Sequence, residues 1–590
     1  MRFKYICVAF LAISSLSSCF DLDKSPEGVL STVNPFTSLG EMNGYLDQFY
    51  ESGVKVQEFN SWGGGGIAGI DMNSDNMASG AVNTRLNGSL TLANANKLTY
   101  YTDIRNVNFF LNNLNFKDTN AAAYKQCVGE AYYFRAWFYF NLFKNYGNIA
   151  WLDHTLAPDE NEMNLPQEGR IAMVDHILSD LDKAIDLLSL QNSAATMRVH
   201  KDVARAFKSE VALYEATWEK YHQAKNDAFY DKTVTAAKIK DYLEQCVAAC
   251  KAIIDRGVWR IYSTGNPLND YRQMFQTEDL SSNSEVMWFK KYDGSNVGNS
   301  VDRYLNQGGG SSGVTASLVD DYLTRAGSPF VGTAVLAAKA TFGDELSPTL
   351  RDPRLSQTVC MPGQILRPDQ GPYVVPPLNG SGYHKNETGY SLLKYVQVDY
   401  TGSLDQEGKG SPPAIQYRYA DVLLNYAEAL AELDGNAHAN EIITILQPLR
   451  DRVGMPAMDF DREYNTSVDY PFRHLNKYIQ AVRREACEGR RLDDIFRWAA
   501  AEDLIVGQRA HGALFVGSNL EHHAKYGSSL VYDQPTGNNL YLSGQPGDTH
   551  RYILPVNPVG YETGWKFNSN RDYLLPLQSR MLSLTKGLWK

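Results

Sequence analysis

Cysteine is scarce. The chain has seven in 590 residues, Cys7, Cys19, Cys127, Cys246, Cys250, Cys360 and Cys487, and the five beyond residue 19 are odd in number and scattered, which excludes a disulfide framework. Cys246 and Cys250 share a helix face, but no histidine or second cysteine pair stands nearby at metal-ligand spacing, so they read as small residues of a helix seam. Blocks of Lys or Arg are also missing. With 67 acidic against 56 basic side chains and a net charge of −11, the composition argues against a nucleic-acid partner. Beyond the amino terminus no stretch approaches about 18 consecutive apolar residues, so the body does not read as membrane-spanning helix. Neither His-Glu-x-x-His nor Gly-x-x-x-x-Gly-Lys-Ser/Thr occurs.

What is present is ordinary globular apolar content, 43%, and an excess of tyrosine: 36 Tyr against 24 Phe and 9 Trp. Rings with a polar handle suit wet binding surfaces as well as cores. The chain opens MRFKYICVAFLAISSLSSC, where Arg2 and Lys4 precede an apolar run from Ile6 to Leu16 that is too short to cross a bilayer. This is an export signal. Ser17 and Ser18 immediately before Cys19 resemble a bacterial lipobox, so the expected mature protein begins at a lipidated Cys19. Acyl chains there would be the membrane attachment, each buried methylene adding about 0.8 kcal/mol.

Helical periodicity dominates the rest. Ile171, Val174, Leu178, Leu181, Ile185 and Leu188 form one apolar stripe, and a second helix from Lys201 to Tyr221 follows after a linker of about ten residues. Short connections make antiparallel neighbours. Similar pairs are expected at Leu98–Leu114 with Ala121–Tyr146 and at Tyr417–Leu433 with Ala439–Val453, and single helices at Lys238–Arg256 and Leu475–Ala501. Helix pairs with small residues at their seams look like tetratricopeptide units separated by insertions. Gly/Ser/Asn/Pro-rich stretches at Asn60–Asn96, Asp293–Gly313, Arg351–Gly410 and Gly507–Arg551 interrupt them, and long irregular segments are usually functional or mobile. The expected fold is therefore mainly α: a TPR-like helix-pair scaffold with a loop-rich, irregular ligand-binding part, in a single compact domain.

Several enzymatic patterns fail on context. Gly64, Gly66 and Gly69 lack the strand and helix that a dinucleotide fingerprint needs. Gly309, Ser311 and Gly313 fit a nucleophile elbow only because glycine is abundant there. Asp71, Asn73 and Asp75 begin like a calcium loop, but Asn76 replaces the required glycine and Val82 the bidentate glutamate, so no cofactor is expected, with a structural calcium of another design left open.

Seven segments in order then resemble the SusD/RagB family of outer-membrane nutrient-uptake lipoproteins. CFDLDKSPEG after the lipobox is similar to that family's mature amino terminus, and EAYYFRAWFYFNLFKNYGNIAWL around Arg135 to its aromatic-rich helix. RVHKDVARAFKSEVALYEA, RDPRL, YRYADVLLNYAEALAEL and RREACEGRRLDDIFRW follow, and YILPVNP resembles its closing strand. On this resemblance residues 1–18 are a signal peptide and 19–590 one SusD-like domain, with helix pairs around 98–146, 170–257 and 413–501. The charges of Arg483, Arg484, Glu488, Arg490, Arg491 and Asp493 read as ties between helices.

The resemblance implies a non-catalytic surface protein in the outer membrane, facing outward, that binds a glycan and passes it to a SusC-like TonB-dependent transporter. Sugar faces pack on aromatic rings and hydroxyls need Asn, Asp and Arg partners, so the implied site draws on Trp62, Asp75, Asn76 and Arg85 of one loop segment and Tyr292 and Tyr304 of another. Trp288, in an apolar run, reads as core. Capture of peptides or other nutrients, a secreted glycan-degrading enzyme needing two spaced carboxylates, and a TPR-like adaptor are the alternatives.

Overall fold

The computed structural model describes residues 34–59, 65–92, 100–156, 165–398, 406–463, 487–585 and 589. The lipobox, Cys19 and Trp62 lie outside them. Helix dominates, as expected: α1 (Leu39–Ser52), α2 (Tyr100–Asn112), α3 (Ala122–Tyr146), α4 (Arg170–Leu187), α5 (Lys201–Lys225), α6 (Ala236–Ile254), α7 (Tyr419–Asp451) and α8 (Arg491–Arg497), with several shorter turns of helix between. The pairs α3/α4, α5/α6 and α6/α7 pack on one another in TPR-like succession. The first helix escaped the periodicity reading although its signals are plain. Ser38 and Glu41 form a capping box, and Met42, Leu46 and Phe49 bury one stripe.

The strands are short. β1 (Met77–Ser79) pairs antiparallel with β3 (Ser312–Val314), β2 (Val286–Lys290) with β4 (Ala414–Arg418), and β7 (Arg551–Leu554) lies between β5 (Leu514–Val516) and β6 (Tyr541–Leu542). Two apolar cores result. One fills the helical scaffold, where Phe134, Phe138, Phe207, Trp218 and Trp288 sit among the helices. The other lies under the loop-rich part, around Phe59, Phe275, Tyr304, Leu346 and Tyr390. The five cysteines of the described chain are buried and none is joined in a disulfide, Cys246 and Cys250 lying within the first core.

Two expectations are corrected. The helix read over Leu475–Ala501 is not continuous in its described part: Cys487 and Gly489 take positive φ (60° and 74°), and α8 begins only at Arg491. A Cβ on Gly489 would stand 2.4 Å from Ile70 Cγ2, so the residue admits both the left-handed turn and the close approach of a neighbouring loop. The helices read as Tyr417–Leu433 and Ala439–Val453 meet with almost no linker, running as α7 with one non-helical residue, Asp434.

From Glu488 onward the charged segment ties elements together as the sequence suggested; Arg483 and Arg484 lie outside the described residues. Glu488 accepts from Lys394 Nζ at 2.6 Å and from Arg418 at 2.8 and 3.0 Å, while Glu285 accepts from Arg418 at 3.0 Å and from Arg452 at 2.8 Å. All five side chains are at least nine-tenths buried. Burial alone would raise the Glu488 carboxyl, but Arg418 and Lys394 hold it down at about 2. Its native interactions therefore stabilise fully above the ordinary value of 4.5 and fade as pH falls below it. Glu488→Ala removes the carboxylate shared by two buried cations and should cost about 3–5 kcal/mol at pH 7 in chemical denaturation. A loss below about 1 kcal/mol would refute the burial of this network.

Asp302 behaves oppositely. Its Oδ1 accepts from the Gln397 N–H at 2.8 Å, its Oδ2 is buried without a hydrogen bond, and burial pushes the carboxyl up to about 7. As pH rises from about 4 to 7 the unfolded chain ionises this group while the native state holds its proton, so stability falls. Asp302→Asn should therefore be more stable than the parent at pH 8 by roughly 1–3 kcal/mol, the gain vanishing near pH 4; a gain independent of pH would disprove the assignment.

Candidate functional site

The polypeptide leaving α1 returns as a short helix (Gly66–Ile70), a 3-10 turn (Asp71–Asn73) and β1. Buried Asn76 fixes this segment by donating to Asp71 Oδ2 at 2.9 Å. Burial raises the Asp71 carboxyl to about 6 against that hydrogen bond. β1 holds β3 in register, Met77 opposite Val314, and β3 runs into the short helix Ala316–Asp321. Thr315 caps that helix, accepting from the Leu318 N–H, and donates to the Asp75 carbonyl at 2.5 Å. A third segment, the turn of helix Ala501–Leu504 and the chain to His511, is pinned by the bridge between Val506 and Trp565.

These three segments enclose a cavity of about 600 Å³. Met77 and Ala316 on one side belong to the loop-part core, and Ile505 and Trp565 on the other to the scaffold core, so the cavity lies at the seam between the two. Seams of this kind are favoured positions for ligands.

The polar groups lining it fall into two sets. Some are spent internally: Asp75 takes a bidentate pair from Arg491 at 2.7 and 2.8 Å, and Asp320 pairs with buried Lys339 at 2.8 Å. Others are not. Among the described residues, the half-buried Arg509 guanidinium, the exposed Asp503 carboxylate and the half-buried His511 ring make no hydrogen bond or ion pair. Asn73 accepts from Asn83 at 2.7 Å, leaving its own amide N–H groups to donate elsewhere. Burial, then the charges of Arg509 and Lys339, lower the His511 pKa, so the ring is neutral at pH 7 and offers one donor and one acceptor. The Trp565 indole, 8% exposed and packed on Tyr561 with ring centroids 4.6 Å apart, completes the wall. Free donors and acceptors beside an aromatic surface match a polyhydroxylated ligand.

The residues nominated from sequence are dispersed by the fold. Asp75 lines the cavity and Asn76 supports it from beneath, fully buried. Arg85 faces elsewhere, donating to the Asp572 and Tyr573 carbonyls at 3.0 and 2.9 Å with its guanidinium 4.4 Å above the Phe496 ring. Tyr292 and Tyr304 are each 4% exposed. The Tyr292 hydroxyl accepts from the Gln57 N–H at 2.9 Å, and that of Tyr304 donates to Glu407 at 2.8 Å beside Tyr383. Trp288 is core, as read from the sequence. Arg509, His511 and Trp565 escaped the sequence reading. The loop Gly507–Arg551 reads as functional or mobile, but nothing in QRAHG, or in GWKF beyond it, announces that the fold brings these residues together.

The comparisons with known proteins bear on most of the chain. A family model described as the SusD family matches residues 271–590, and another, described as starch-binding associating with outer membrane, matches residues 22–213. No curated protein matches the sequence. Among solved structures, a SusD-like carbohydrate binding protein from Bacteroides fragilis superposes with TM-score 0.68 at 21% identity, covering 93% of this chain and 98% of that one. A second SusD-like protein from the same organism gives 0.66 at 20%, covering 93% and 96%. A SusD homolog from Bacteroides thetaiotaomicron gives 0.58 at 16%, covering 93% and 96%. At these identities the structural likeness establishes the fold, which agrees with the TPR-like scaffold described above. With the family model spanning more than half its length, the chain belongs to the SusD family.

Proposed function

We propose that this protein binds oligosaccharides at the cell surface in the seam cavity and hands them to a SusC-like TonB-dependent transporter of the outer membrane, without cleaving them. The observation that carries this reading is the set of unpartnered side chains Arg509, His511 and Asp503, with the remaining amide N–H groups of Asn73, lining a 600 Å³ cavity beside Trp565 in a chain of the SusD family. A folded protein usually satisfies its half-buried polar groups internally, so polar valences left over in a concave site are what a ligand supplies. The remaining carboxylates favour holding over chemistry. Asp75 and Asp320 are each neutralised by a cation, whereas glycoside hydrolysis needs one carboxyl kept protonated against another left ionised. Among the described residues no helix is long and apolar enough to cross a membrane, and a lipid on Cys19 would provide the attachment.

Ala81 is exposed at the cavity and touches no core, so Ala81→Trp should fill the entrance without altering the melting temperature. In affinity gels against a polysaccharide panel the parent should be retarded by at least one polymer with no release of reducing sugar. The variant should lose that retardation by tenfold or more. Sugar release would overturn the binding-only reading. If Trp62→Ala and Tyr304→Ala abolish retardation while Ala81→Trp does not, the site lies at the Tyr304 cluster instead.

Attachment is tested separately. Cys19→Ala should abolish incorporation of labelled fatty acid and release the protein from membranes; labelling that persists would refute the anchor.

A further inference from the structure

The charges around the cavity differ in how far the protein itself satisfies them. Of those lining it, Asp75 is neutralised by Arg491 and Asp320 by Lys339. That leaves Asp503, exposed to water, and Arg509, half-buried in the wall. Neither makes an ion pair among the described residues. Glu562, the exposed carboxylate within electrostatic reach of Arg509, instead accepts from the backbone N–H of Gly560 at 2.8 Å. The neutral His511 lies close enough to feel the positive charge of both Arg509 and Lys339. Asp503 can be satisfied by solvent where it stands. Arg509 is the more demanding group, a planar fork of donors partly withdrawn from water without an anion to receive.

We propose that the cavity takes an acidic oligosaccharide, whose carboxylate or sulfate oxygens are received by the Arg509 guanidinium while its hydroxyls meet His511 and Asn73. The proposal rests on the glycan-binding reading above and specifies its ligand class. An uncharged sugar would leave the guanidinium with neutral hydroxyl partners only, whereas a carboxylate or sulfate offers it a charge-assisted, two-pronged bond roughly twice as strong as a neutral one. The paired carboxylates do not oppose this, because each already carries its counter-charge; Asp503, the unpaired carboxylate of the lining, stands exposed to water, which screens its repulsion of an anion.

The test uses the mature chain and polysaccharides offered in acidic and neutralised form: polygalacturonate with its methyl ester for the carboxylate arm, carrageenan with its desulfated product for the sulfate arm, and neutral glucans and galactans as reference. In isothermal titration the acidic member of at least one pair should bind tenfold or more tightly than its neutralised twin, with a preference that shrinks as salt is raised. Arg509→Gln should erase that preference without shifting the melting temperature, since the side chain has no internal partner to lose, and Arg509→Lys should restore part of it. Equal binding of both members, a preference that survives Arg509→Gln, or binding confined to the neutral reference polymers would overturn the acidic-ligand proposal and leave the glycan reading standing. Failure of every polysaccharide to bind would overturn both.

Discussion

The buried ion network around Glu488 is the constraint on which the rest of the molecule depends. Lys394 comes from the loop-rich part, Arg418 from the start of α7, Arg452 from just beyond its end, and Glu285 from the entry to β2, so elements far apart in sequence share two carboxylates. The attachments continue along the same segment. Arg490 reaches Glu210 of α5 at 3.2 Å, Arg491 reaches Asp75, Asp493 receives Lys144 of α3 at 2.5 Å, and Arg497 pairs with Glu428 of α7 at 2.5 and 2.7 Å. Ten residues thus touch most of the scaffold and the floor of the cavity. Such pairs contribute little net energy compared with apolar packing, because desolvation offsets their attraction, but any alternative register would strand a charge in the interior. The network acts mainly to exclude other arrangements of the two cores.

This also explains which parts of the fold were legible in the sequence. Amphipathic stripes such as Ile171 to Leu188 announce helices because the period is local, and α3 through α6 fall within a few residues of where periodicity places them. The reading failed at Gly489, where the chain turns to meet Ile70, a contact between residues more than four hundred positions apart. Asp75 shows the same limit at the site. Read alone, a carboxylate in an Asn/Asp/Ser loop looks available to a ligand; folded, it already holds Arg491, from 416 positions away. Local pattern reveals that a polar group exists, and tertiary structure decides whether it is still free.

The tyrosines follow the same rule. A ring with a hydroxyl suits a sugar, but it also suits a core that needs a polar anchor. Tyr101 donates to the Ala150 carbonyl, Tyr390 to Glu345, Tyr395 to the Cys487 carbonyl and Tyr417 to Glu210, all from buried positions. Tyr292 and Tyr304 belong to this group. The excess of tyrosine over phenylalanine therefore reflects a structure whose two cores are stitched to loops and ion pairs by phenolic hydroxyls, each satisfying a partner that a phenylalanine would leave bare.

A separation between stability and recognition follows. Each charged group of the network already has an opposite charge within the protein, so the scaffold has little reason to change when a ligand arrives. Arg509, His511, Asp503 and Asn73 stand on short turns and loops, but these segments are fixed from behind: that of Asn73 by Asn76, the Arg491 pair and the pairing of β1 with β3, and that of the other three by the bridge from Val506 to Trp565. Groups held in place before binding spend less conformational entropy on it, which favours useful affinity from a modest number of contacts. It also lets the lining residues change without unfolding the protein, since the side chains of Arg509, His511 and Asp503 carry no part of the internal hydrogen bonding among the described residues. The same scaffold can thereby serve different ligands through substitutions confined to the cavity walls.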